Sequence, residues 1–161
     1  MCRKHFLLLL LFVTAANAQQ PTERAASCEF EDGHAVTIRY TPASGKEQIP
    51  KGQMWGPGGA PMVLFTDTPI TVSSHELAVG AYRTYLLNSN GVWSLILNTN
   101  VDPKAKYDSS LDAARIPLET AQLPSPQSET AVVFGRMGPK QCNLRIYHAK
   151  LGIFGAEFNA K

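Results

Sequence analysis

Few residues of this chain have the type and spacing that catalysis needs. His34, His75 and His148 lie far apart, with no HxH, HxxxH or HExxH spacing. Metal ligation needs two or three such groups on one face, so no metal site is expected and these read as strand or surface histidines. There is no Gly-x-Ser-x-Gly nucleophile elbow and no phosphate loop. Gly56-Pro57-Gly58-Gly59 is rich in glycine, but its proline lacks the N–H that a phosphate cradle would use. Asp108 and Asp112 stand four apart. Paired carboxylates can exchange protons with a substrate, or they can cap a turn.

The residue that stands out is Trp55, on a loop rich in proline and glycine. Such an aromatic can stack on a sugar or grip a peptide, and it can equally fold back to plug one end of the fold. Tyr147 and His148 are adjacent and can line a pocket. Trp55, Tyr147 and His148 are therefore the candidate ligand-binding residues, with no catalytic residue and no cofactor assigned. Trp93 alternates with Leu95 and Leu97 and reads as core. Tyr82 and Tyr85 are strand tyrosines that need no functional cause. The competing enzymatic reading is a hydrolase, with His148, Asp108 or Asp112, and Arg115 gathered around Trp55.

The elements that would position these groups are strands. His34 to Thr41 alternates apolar and polar residues, as a half-buried strand does. Residues 62–65, 70–72, 76–79, 81–87, 92–97, 115–119, 130–134, 141–149 and 151–158 make further short runs. Asn90-Gly91 between apolar runs is a strong hairpin signal. Residues 42–61 read as an irregular loop, and residues 99–114 as a loop with a helical turn. Eight or nine short strands with frequent turns predict an all-β fold, an antiparallel β-sandwich or flattened barrel.

The first eighteen residues have a different character. Arg3 and Lys4 precede an apolar run from Phe6, and Ala16-Asn17-Ala18 follows. That is the layout of a secretory signal peptide, and its apolar run is shorter than the roughly 20 residues a membrane span needs. The expected division is a signal peptide at 1–18, a flexible leader at 19–27 and a single domain at 28–161. Of 15 Lys+Arg and 13 Asp+Glu, two basic residues leave with the signal peptide, so the rest is formally neutral. No basic run remains to hold nucleic acid or an anionic membrane. The partners left open are a small molecule, a glycan or an envelope protein, in the periplasm or outside the cell. Cys28 and Cys142 also remain. In an oxidising compartment they read as one disulfide, with a metal pair or two buried thiols as alternatives.

Several segments together resemble a bacterial secreted family catalogued as domain of unknown function 2911. They are Pro50-Lys51-Gly52-Gln53-Met54-Trp55, Val79-Gly80-Ala81-Tyr82 and Trp93-Ser94-Leu95-Ile96-Leu97-Asn98. Ala26-Ser27-Cys28 with Asp32-Gly33, Ala114-Arg115, Leu123-Pro124-Ser125-Pro126 and the late Cys142 fit the same order. The resemblance covers about residues 26–158 and implies an exported β-sandwich-like domain without assigning an activity. Members of that family usually follow the tryptophan with Arg-x-Gly-Ala-Asn-Glu, whereas Trp55 is followed by Gly56-Pro57-Gly58-Gly59-Ala60-Pro61. The loop at Gly45 to Ile49 is shortened, and Tyr147-His148 stands where the family often has Trp-Glu. If the family uses its Arg, Asn and Glu as a polar site, this chain lacks it. The function expected is an exported, non-catalytic ligand- or partner-binding module of the cell envelope, with a periplasmic hydrolase as the alternative.

Overall fold

Alternating side chains and frequent turns build two antiparallel sheets in the computed structural model, which describes residues 22–49 and 52–161. The expected signal peptide, residues 19–21 of the leader, and Pro50 and Lys51 lie outside the described residues. The strands are β1 (Arg24–Glu29), β2 (Ala35–Tyr40), β3 (Met54–Trp55), β4 (Met62–Thr66), β5 (Ile70–Val72), β6 (His75–Leu77) and β7 (Gly80–Ser89). There follow β8 (Val92–Asn98), β9 (Asp112–Pro117), β10 (Glu119–Ala121), β11 (Ala131–Gly138), β12 (Gln141–His148) and β13 (Gly152–Ala160).

Sheet one runs β1-β2-β4-β7-β8-β9, and sheet two runs β11-β12-β13-β5-β6. The remaining short strands fill gaps: β3 pairs with β7, and β10 pairs with β13. The fold is an all-β sandwich, with no strand pairing between the sheets among the described residues.

Side-chain alternation explains why the sheets face one another. On β12, Cys142, Leu144 and Ile146 are buried, while Asn143 and Arg145 are not. On β8, Trp93, Leu95 and Leu97 enter the core, and Trp93 packs on Phe154 of sheet two with ring centroids 4.7 Å apart. The Asn90-Gly91 hairpin forms as expected. Both residues take positive φ, 52° and 87°, the geometry of a two-residue turn whose twist matches the strands. Cys28 of β1 and Cys142 of β12 form a disulfide across the sandwich. With its ends 114 positions apart in sequence, it restrains the unfolded chain by up to ~4.7 kcal/mol in the chain-entropy picture.

Two expectations about the chain's quieter stretches change. Residues 24–27, expected in a loose leader, are the first part of β1 and pair with β2 along its length. Ala25, Ala26 and Ser27 are small and carry little pattern, and the segment is held by backbone pairing, a Ser27–Thr37 hydroxyl contact of 2.8 Å and an Arg24–Glu129 ion pair of 2.6 Å. The second change lies in the loop at 42–61. Met54 and Trp55 pair with Leu87 and Leu86, and Met62 pairs with Thr84 on the same edge of β7. Thus β3 and β4 are one strand broken by a six-residue excursion, Gly56 to Pro61. A 3₁₀ turn at Pro57–Gly59 closes it. Gly58 has φ 70°, and a Cβ there would sit 2.7 Å from Thr41 Cγ2, so a larger residue fits neither the backbone nor the space.

Candidate functional site

The excursion after Trp55 matters because it sets the tryptophan's direction. Trp55 pairs with Leu86, a core-facing position, and is itself 5% exposed. His148 ends β12 on the same interior face as Ile146 and is 1% exposed. The two rings meet edge to face between the sheets, with centroids 5.5 Å apart. Trp55 therefore plugs this end of the sandwich, and it does so against His148.

Glu47 locks the arrangement. One carboxylate oxygen accepts from Trp55 Nε1–H at 3.2 Å, and the other accepts from the Gly58 N–H at 3.3 Å. A single side chain thus fixes both the tryptophan and the turn that follows it.

In front of His148 lies an open cleft of about 300 Å³. Its walls come from three places: Glu47 to Ile49, the Asn88 and Trp93 pair of the β7–β8 hairpin, and Lys150 with Leu151 in the turn after β12. The backbone N–H of Lys150 donates to His148 Nδ1 at 3.4 Å. That leaves the proton of the neutral ring on Nε2. Nε2 is buried and has no protein partner. Burial, and then the nearby Lys150 charge, hold the imidazole below its usual pKa, with Glu47 pulling the other way. His148 is therefore a neutral side chain with an unused donor.

The other candidates go elsewhere. Tyr147 points to the opposite face of β12 from His148, because neighbours on a strand alternate, and it is half-buried there. Asp108 caps the short turn Ser109–Leu111, accepting from the Ser110 N–H and hydroxyl, bonds that lower its pKa. Asp112 sits on the outer side of sheet one. It accepts from Asn98 Nδ2 at 2.8 Å, Tyr107 OH at 2.6 Å and Arg115 Nε at 2.8 Å. Arg115 also donates to Tyr107 OH at 2.7 Å. Burial and then Asp112 push the Tyr107 phenol up to about 12. Tyr107 in turn meets Tyr85 edge to face at 5.5 Å.

The structure thus joins Trp55 with His148, and Asp112 with Arg115, and leaves the two pairs apart. Among the described residues, no hydrogen bond or ion pair links His148 to Asp108, Asp112 or Arg115. On β7 the cleft reaches Asn88, whereas the outer cluster centres on Asn98, opposite Arg83. Five residues of strand separate those levels, about 17 Å. His34 lies 3.4 Å from Asp67 at the surface and His75 lies on β6, so the three histidines do not converge. No group of three His, Cys, Asp or Glu that could hold a metal occurs among the described residues.

Sequence reasoning missed Glu47, Asn88 and Lys150. They carry no motif, and only tertiary contact makes them neighbours. It also missed Arg83, which is 3% exposed, donates to Tyr85 OH and the Ala105 carbonyl, and leaves Nη2 buried without a partner.

In comparison with known proteins, the family described as Protein of unknown function (DUF2911) matches residues 22–153. No curated protein and no solved structure matches the chain.

Proposed function

The chain belongs to the DUF2911 family, whose function is unknown, and from that premise we propose that it is an exported, non-catalytic binding module. Its ligand site is the cleft between the sheets, where it holds a small molecule, a glycan or part of an envelope protein. The observation that carries this reading is His148 Nε2, a buried donor without a protein partner in the wall of an open cleft. Buried polar groups are normally paired, and an unpaired donor costs about 1–3 kcal/mol. A ligand acceptor would recover that cost. Trp55 serves as a positioning residue behind the imidazole rather than as a contact, and Glu47, itself a wall of the cleft, braces it.

Export is supported by two independent features. One is the basic, apolar and small-residue layout of Met1 to Ala18. The other is the Cys28–Cys142 disulfide, which persists in an oxidising compartment. No helix among the described residues is long and apolar enough to cross a membrane.

The test is a thermal-shift screen of small polar molecules and short glycans against the wild type and His148→Phe. Phenylalanine keeps the ring and the packing on Trp55 but removes the donor. A hit on the wild type should weaken about tenfold in the variant, corresponding to about 1.4 kcal/mol. Equal affinities, or no hit, overturn the reading.

A further inference from the structure

We propose that the cleft is the middle subsite of a longer groove that takes a neutral oligosaccharide chain. The inference rests on the cleft being the ligand site. Two further hollows adjoin it at the same end of the sandwich. One, of about 570 Å³, is lined by Gly52 and the hairpin tip from Asn88 to Gly91. The other, of about 430 Å³, lies between Gln122 to Pro126 and the turn from Ala149 to Gly152. Asn88 is a wall of both the cleft and the first hollow. Lys150 and Leu151 are walls of both the cleft and the second. Shared wall residues set the three hollows side by side, an arrangement that fits a chain better than a single compact molecule.

The lining chemistry selects the kind of chain. Among the described lining residues only Glu47 and Lys150 carry full charge, and their signs oppose. Such a groove has no field to hold a polyanion. Its polar side chains are mainly amides and hydroxyls: Gln48, Asn88 and Asn90, then Gln122, Ser89 and Ser125. Amides and hydroxyls both donate and accept, as sugar hydroxyls do. Trp93, Ile49 and Leu151 supply apolar surface for the C–H faces of sugar rings.

A peptide fits less well. Strand addition needs an unpaired sheet edge, but β7, β8 and β12 are paired on both sides, and the once-paired β3 and β10 beside the outer hollows are only two and three residues long, too short to template a strand. Helix docking needs a continuous apolar groove, and phosphopeptide capture needs an arginine cluster. The lining offers neither.

The experiment is calorimetric titration with malto-, cello- and chito-oligosaccharides of one to six units. The proteins are the wild type, His148→Phe and Gln122→Ala, the last altering an exposed residue of an outer hollow. In at least one series, affinity should rise at least tenfold from one unit to four. Gln122→Ala should remove most of that gain, while His148→Phe weakens every length. His148-dependent binding of single sugars without a gain in length overturns the groove and leaves the cleft standing. Chain-length gain that is intact in His148→Phe overturns the cleft reading beneath it. Binding of no saccharide, or of short peptides alone, overturns the groove.

Discussion

The end cleft and the outer cluster of sheet one contain similar groups, yet they use them in opposite ways. In the outer cluster, Asp112 accepts from Asn98, Tyr107 and Arg115, and Arg115 closes the ring by donating to Tyr107. These partners tie the segment between β8 and β9 onto the sheet. In the cleft, Glu47 braces Trp55 and the turn at Gly58, but His148 keeps a buried donor unpaired beside open space. The difference teaches where to look for function. Polar groups that satisfy one another build structure, whereas His148 holds its unpaired donor in a residue that lines a cleft; Arg83 Nη2, unpaired beside the outer cluster, belongs to no residue of that cleft.

Asp112→Ala should have the largest effect on stability. It removes the common acceptor of three donors and should cost about 2–3 kcal/mol, measured as a shift in urea midpoint. Ligand affinity in the cleft should stay unchanged. Loss of binding in a folded Asp112→Ala protein would break the comparison. Glu47→Ala should show the reverse balance. Its two hydrogen bonds are long, so the stability cost should be about 1 kcal/mol, but freeing Trp55 and the turn should weaken binding. Unchanged affinity would place Glu47 with the structural ties.

The smallest effect is a pH dependence. Burial holds the His148 pKa below the unfolded value of about 6.5. As pH falls through that value, the unfolded chain takes up the proton before the folded one does. Its contribution to stability is therefore complete above about pH 6.5 and declines below it, toward the lower folded pKa. Urea midpoints between about pH 8 and about pH 5 should fall with pH, and His148→Phe should flatten that slope. Equal slopes would remove burial of His148 from the account.

Local sequence made much of the fold legible. The run at 70–72 is β5 itself, and Asn90-Gly91 turns as its chemistry requires. Alternation on β8 identified the face of Trp93. Where pattern was weak, the reading slipped. Ala25 to Ser27 have small side chains, so nothing local marks the strand that β2 templates. Met54-Trp55 is too short to alternate, and only its register on β7 shows that it continues β4. The site was partly legible, since Trp55 and His148 were both singled out. Their edge-to-face meeting was not, and neither was the part played by Glu47, Asn88 and Lys150, which come from separate segments.

What the sequence determined by itself follows from short-range rules: strand periodicity, turn chemistry, the absence of spaced catalytic motifs and the layout of the first eighteen residues. The Cys28–Cys142 pairing was one of three readings there and became a bond only in the fold. Strand alternation puts Tyr147 and His148 on opposite faces, but tertiary structure alone decided that His148 is the one that lines the cleft. It also decided that Asp112 is consumed by its neighbours and that His148 is not. Hydrogen-bond satisfaction depends on which distant segments arrive beside a group, and no local pattern of residues encodes that arrival.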